Sequence, residues 1–588
     1  MIEPRLYRAA FLPALLAAVI AAFSLESPPR PAPPGLAADV LFDGRAASAT
    51  VNGILQDAPD RRTGSRGDAR TALRTANAFR RYGFSTSVDS FHDEGARLLN
   101  VVGRRPGLSE HELVVLASRD ALSVPDATGS AADTAALIEV ARALSGRVAH
   151  RAVVLVSVDG GARGDVGARR FADAETAAGR QVDAAIVLSN TGAAHSHGPL
   201  VIDWSNDSTR GSLGLRRTAS DALRTELGTD GGGAASAPAQ LARLAVPVGD
   251  GAQGVLLADG LPAVRISGSG ELAPPPDRRG NRDFNPNRYG PIGRAVLRMV
   301  SGLDRSPAPP SPGPSGYIAF AGLVMPGWAI SLLGATLILP ALVASVDALA
   351  RTRRRHHPIR GWVNWLARGA LPFGFGLALA ELLVLVGLAK DAPPAPLDPS
   401  ATPVDGAAAG AMAAVAAGVL VAWIALRTSL LRRSRSALDP TAPGAAIVVA
   451  LALAAATVLT WALNPYAGLL LVLPLHCWML AVLLDIRPRA RLWLVAIGLL
   501  PSIGVLLTYM HELSLGPIDA AWYEFLLLTG GQAGVIGALL GCILLGILAS
   551  VVSIVVAHAR RSEGEAAAPS VSRPARAAGP RRTSGAAT

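Results

Sequence analysis

The alternation of apolar and polar positions divides the chain in two. Between residue 40 and about residue 305, short apolar runs alternate with helical patterns. Leu99–Val102, Leu113–Leu116, Ala152–Val158 and Ala184–Leu188 are β-branched-rich runs of the kind a sheet buries on both faces. Phe84–Phe91 alternates like a half-buried strand, and Thr71–Tyr82 has helical spacing closed by Gly83. Thr134–Leu144 predicts a helix with Leu137, Val140, Ala141 and Leu144 along one stripe. Strands alternating with helices predict an α/β fold, a mixed sheet with helices on both faces. Gly228–Pro238, rich in Gly, Ala and Ser, reads as a loop, and Ser306–Gly316 as a Pro/Ser/Gly linker.

Beyond residue 316 the period changes. Apolar runs long enough to cross a bilayer occupy 326–348, 369–389, 407–426, 444–463, 467–484, 492–510 and 533–557, an all-α, seven-helix region over 317–560. Tyr317–Val324 and Ala521–Leu528 are shorter and are read as interfacial or half-inserted pieces. An eighth apolar run, Ala9–Leu25, follows Arg5 and Arg8. A cleaved signal peptide would begin in the same way, but the run is long enough to span and no A-x-A site follows it, which favours a signal anchor over 1–27. Pro372, Pro474 and Pro501 are expected to kink their helices.

Composition agrees with this division. The 588 residues are 50% hydrophobic and 17% charged, and the net charge is +11. The arginines follow alternate spans: Arg351, Arg353, Arg354, Arg355 and Arg360; then Arg427, Arg432, Arg433 and Arg435; then Arg487, Arg489 and Arg491; and finally the basic tail over 561–588. The intervening loops hold Asp391, Asp398 and Asp405, then Asn464-Pro465-Tyr466, then Glu512 and Asp519. The bias of Lys and Arg sets orientation. It predicts a multi-pass protein of the cell membrane with both termini cytoplasmic and the α/β unit extracytoplasmic. The positive charge is then assigned to topology and to anionic membrane lipid, not to nucleic acid. Cys477 and Cys542, both in apolar runs, exclude a disulfide framework and a thiolate metal site.

Residues 59–300 resemble the di-zinc aminopeptidase family, whose fold is shared with transferrin-receptor ectodomains and glutaminyl cyclases. The resemblance rests on Arg62-Thr63-Gly64-Ser65 followed by a helix, on Asn100-Val101-Val102, on Asp159-Gly160 with Gly164, and on Gly260-Leu261-Pro262-Ala263-Val264. It implies two zinc ions held by histidines and carboxylates, with a glutamate as general base. Aligned by spacing, the family's H-x-D becomes Ser118-Arg119-Asp120. The Asp before the next helix becomes Gly129, and the two glutamates of D-G-E-E-x-G become Gly161 and Ala162. The later Asp becomes Ser189, and the final His becomes Gln253. Only Asp120 keeps its acidic type. Asp126 or Asp133 is close enough to stand in for Gly129, and Asp250 is near Gln253. Glycine and alanine side chains neither bind zinc nor move protons, so the expectation is a peptidase-like domain without metal or cofactor that binds a polypeptide or membrane-protein partner. The alternative is a working zinc aminopeptidase with a rearranged site. The architecture also resembles the attachment subunit of the glycosylphosphatidylinositol transamidase and the family's membrane-embedded metallopeptidases.

Other candidates are weaker. His195 and His197, in a Gly-rich loop, are expected to be solvated and not metal-bound. Ser118 with Asp120 lacks the elbow motif of a serine hydrolase. Asn206-Asp207-Ser208 is a glycosylation sequon only in a compartment that glycosylates. Glu381 and His476 are ionisable groups inside predicted spans. For each, a proton or ligand role stands beside an interhelical hydrogen bond or a headgroup-level position.

Overall fold

A computed structural model describes residues 3–33, 35, 41–228, 235–273, 283–311, 313–355, 359–393, 397–433 and 439–567. Nine strands are described, and seven of them form one sheet: β1 (Ser85–Asp93), β2 (Ala96–Arg105), β3 (Ser109–Ser118), β4 (Arg151–Val158), β5 (Val182–Ser189), β6 (Val201–Ile202) and β7 (Ala263–Ser267), in the order β1-β2-β4-β3-β5-β7-β6. The four central strands β4, β3, β5 and β7 run parallel, while β1, β2 and β6 pair antiparallel at the edges. The architecture is a mixed α/β sheet followed by an all-α region.

The period of two along a strand divides the apolar side chains of the sheet between two cores. Leu113, Val115 and Ala117 of β3 join Val153, Leu155, Ile186 and Leu188 on one face. Val114 and Leu116 join Val154, Val156, Ala185 and Val187 on the other. The helix Ser130–Leu144 departs from the expected single stripe, because nearly every residue in it is buried. Its remaining faces carry Ala131, Ala132, Ala135 and Ala136, small enough for the helices Gly44–Asp57 and Pro286–Arg305 to pack closely against it.

Among the described residues, eight helices are long and apolar enough to cross a membrane: Pro4–Phe23, Gly327–Arg354, Arg360–Leu385, Gly406–Leu426, Pro443–Leu463, Pro465–Leu483, Pro488–Glu512 and Gly534–Ser562. Several local expectations change. Tyr317–Val324 forms most of a hairpin of β8 (Tyr317–Phe320) and β9 (Leu323–Pro326), with Tyr317 fully buried. The segment read as a linker is anchored: Ser212 Oγ donates to the Ser311 carbonyl at 2.7 Å and Arg210 N to the Ser315 carbonyl at 2.8 Å. Pro474 stands in the first turn of Val472–Leu483, where its missing N–H costs nothing. The loop read over Gly228–Pro238 ends in a helix, Ala237–Ala245, capped by Ser236, while 229–234 lie outside the described residues. The last helix, Gly534–Ala567, runs into the segment read as the basic tail; 568–588 and Arg435 lie outside the described residues.

The neutral and acidic loops meet the α/β unit. Asn464 Nδ2 donates to the Leu244 carbonyl at 2.9 Å, and Glu512 accepts from Arg243 Nε at 2.7 Å. At the opposite end, Glu3 pairs with Arg351 at 3.5 Å, which puts the start of the first helix among the arginine-bearing loops.

Candidate functional site

In open α/β sheets, ligands bind beyond the carboxyl ends of the parallel strands. A cavity of about 140 Å³ lies there, lined by Ser118 and Asp120 after β3, Gly161, Ala162 and Gly164 after β4, and Ser189 and Asn190 after β5. Five of the six positions singled out by spacing therefore converge: Ser118, Gly129, Gly161, Ala162 and Ser189. Gln253 does not line the cavity. It is fully buried, and its amide donates to the Asp250 carbonyl at 3.0 Å.

Asp120 is committed to holding the β4 turn. Its carboxylate accepts from Gly161 N at 2.9 Å, Ala162 N at 3.0 Å and Thr63 Oγ1 at 2.7 Å. Burial and the nearby Asp159 raise its pKa, and these three donors oppose that shift. None of the three donors is Ser118, so no Ser–Asp hydrolase pair forms. The turn needs glycine where the backbone is left-handed, at Gly160 (φ 76°) and Gly164 (φ 66°). At Gly161 the constraint is spatial, since an added Cβ would come within 2.5 Å of Ser118 Oγ and 3.2 Å of an Asp120 oxygen. A Cβ at Gly129 would come within 2.4 Å of an Asp126 oxygen and 2.9 Å of Asn190 Oδ1. Neither glycine has free space for a side chain.

The substitute acids are occupied too. Asp126 caps the helix Ser130–Leu144, accepting from Ser130 N at 2.7 Å and Gly129 N at 3.1 Å. Asp133 accepts from Asn190 N and Thr191 N, each at 2.9 Å, and from Thr191 Oγ1 at 2.6 Å, tying that helix to the end of β5. Burial pushes the Asp133 carboxyl up to about 7 in spite of these donors. Asp250 lies 3.6 Å from Arg265, and burial with Asp398 nearby raises its pKa.

Three functional-site residues carried no sequence signal. Arg119, the middle residue of the lost H-x-D, is fully buried beneath the turn, 2.8 Å from Asp68 and 3.5 Å from Asp159. Asp165 follows the turn in a left-handed conformation (φ 54°) with its side chain buried against the cavity. Asp398 belongs to the loop between the spans Arg360–Leu385 and Gly406–Leu426, yet it lines the same cavity. Trp522 Nε1 holds this loop through the Thr402 carbonyl at 2.8 Å, and Tyr523 Oη through the Leu397 carbonyl at 3.1 Å.

The donor set does not fit the family's zinc pair. Among the described residues, no group of three or more His, Cys, Asp or Glu side chains is placed to hold a metal ion. His195 and His197 are exposed on their loop. His476 is knitted into the helices: its Nδ1 meets Tyr7 Oη at 2.7 Å and its Nε2 the Leu337 carbonyl at 2.9 Å. The carbonyl only accepts, so Nε2 carries the proton and Nδ1 accepts from the tyrosine. Glu381 is not at mid-span. It lies four residues before the end of Arg360–Leu385 and is exposed.

No protein-family model matches the sequence, and no curated protein matches it. Similar solved structures include a glutaminyl cyclase of Porphyromonas gingivalis, 15% identical, covering 44% of this chain and 98% of its own, with a TM-score of 0.34. A zinc aminopeptidase of Bacillus subtilis is 11% identical over 44% of this chain and 94% of its own, with a TM-score of 0.36. A glutaminyl cyclase of Fimbriiglobus ruber is 17% identical over 47% of this chain and 99% of its own, with a TM-score of 0.34.

Proposed function

We propose that this chain is a multi-pass membrane protein whose extracytoplasmic α/β unit is peptidase-like in layout and binds a polypeptide or protein partner without hydrolysing it. The observation that carries this reading is the closed turn after β4. Asp120, the one acid of the family pattern kept in type, spends its carboxylate on Gly161 N, Ala162 N and Thr63 Oγ1, and no room remains at Gly161 for the Cβ of a base. A general base needs a free carboxylate within reach of a water, and a zinc pair needs convergent ligands. Orientation follows from the arginine loops, with both termini on the cytoplasmic side.

The test is metal analysis of the purified full-length chain after zinc supplementation, alongside aminopeptidase assays with and without chelator. The expected result is substoichiometric zinc and no chelator-sensitive cleavage. Two zinc ions per chain with chelator-sensitive release of amino-terminal residues would overturn the proposal in favour of a rearranged aminopeptidase.

A further inference from the structure

The cavity holds more negative charge than the retained scaffold requires. Asp120, Asp126 and Asp133 are engaged by backbone donors, but three other acids line the same space: Asp165, Asp250 and Asp398, with Arg265 the one basic side chain among the described lining residues and Arg169 acting on Asp165 from outside the lining. None of these three occupies a position taken over from the aligned ligand pattern.

Asp165 is the decisive residue. It is 5% exposed and lines the cavity, and no donor among the described residues hydrogen-bonds to its carboxylate. Burial and the Asp250 carboxylate both raise its pKa, with Arg265 opposing. A buried carboxylate without a donor is costly, and such groups persist where an occupant supplies what the protein withholds. Asp250 shares Arg265 at 3.6 Å, and Asp398 spends one oxygen on Ser400 N at 2.7 Å, leaving the other free.

We propose that this cavity binds a ligand through a primary ammonium group, with Asp165 as its principal acceptor and Asp250 and Asp398 flanking it. Positive charge matches the excess of carboxylates. A primary ammonium has three N–H donors for acceptors on different sides. A bare metal ion fits less well, since no three acids converge on one point among the described residues. The space of about 140 Å³ is far above the ~10–15 Å³ that one water needs and admits a small organic group with its ammonium. The proposal deepens the non-hydrolytic binding reading and rests on it.

The experiment is thermal unfolding of the full-length chain in detergent with three ammonium probes: putrescine, N-acetyl-lysine amide and alanine amide. Each is paired with its acetylated, uncharged counterpart, and calcium and zinc chloride are run beside them. At least one ammonium probe is expected to raise Tm while its counterpart does not, and the responding probe identifies a free diamine, a lysine side chain or an amino terminus as the source. Asp165→Asn is expected to raise the Tm of the ligand-free chain and to weaken that probe at least ~10-fold. Asp398→Asn, on a partly exposed loop, is expected to weaken it less. Silence from all three probes, an equal response to uncharged counterparts, a response to the divalent ions alone, or undiminished binding by Asp165→Asn would each overturn the proposal. Binding of uncharged peptides would defeat this inference and leave the non-hydrolytic reading standing, whereas zinc-dependent cleavage would defeat that reading itself.

Discussion

Two buried polar regions of this molecule handle charge in opposite ways. Where the α/β unit meets the β8–β9 hairpin, Arg210 grips both Asp203 oxygens at 2.8 and 3.1 Å, Tyr317 Oη donates to the same carboxylate at 2.8 Å, and the guanidinium lies 4.2 Å from the tyrosine ring centre. Burial alone would push Asp203 up; Arg210 and Arg216 overrule it and hold the carboxyl below its ordinary value. Arg243 is matched in the same way by Glu271 and, from the long apolar helix Pro488–Glu512, Glu512. Around the cavity, by contrast, the described lining residues include six aspartates and one arginine, and Asp133, Asp165 and Asp250 are all shifted up. Matched charges hold parts together, while a surplus of one sign is a vacancy for something else.

The largest effect should come from breaking the matched pair. Arg210→Met leaves Asp203 fully buried with only the more distant Arg216, 3.7 Å away, as counter-charge and should cost about 3–5 kcal/mol, read as a loss of thermal stability of the full chain. A loss below ~1 kcal/mol would erase the distinction between the two regions. Asp120→Ala should cost less, about 1–3 kcal/mol, and should speed amide hydrogen exchange at Gly161 and Ala162, because their N–H groups lose an acceptor. Unchanged exchange there would mean that Asp120 does not hold the turn.

The remaining effect concerns pH. Asp133 holds its proton up to about pH 7 in the folded chain, against an ordinary value of 3.8. The folded state therefore binds the extra proton between these values, and stability should fall as pH rises from about 4 to 7. Asp133→Asn should flatten that slope in Tm measured against pH; an unchanged slope would assign it to another group.

The strands were the most legible part of this chain, because β3, β4 and β5 are buried on both faces and leave continuous runs such as Leu113–Leu116 and Ala152–Val158. The eight long apolar helices were equally plain, since length and hydropathy suffice to find them. The sheet order was not legible: β2 skips its neighbour in sequence to pair with β4, a choice made by long-range packing. At the site, spacing located Ser118, Gly129, Gly161, Ala162 and Ser189, because each follows a strand or precedes a helix. Gln253 was misplaced because its side chain turns toward Asp250 O and Trp204 O. Asp165 and Asp398 left no trace, one being a single acid after a glycine turn and the other 233 residues away on a different part of the chain.

The loop around Asp398 has a practical consequence for anyone dividing this chain. Cutting at the Pro-rich segment near residue 310 would yield a soluble piece that contains β1–β7 and omits one wall of the cavity. Such a fragment would show solvent where the intact protein shows the carboxylate of Asp398 and the backbone near Ala401. Assays on it would describe an opened vessel, and its affinities would not carry over to the intact protein.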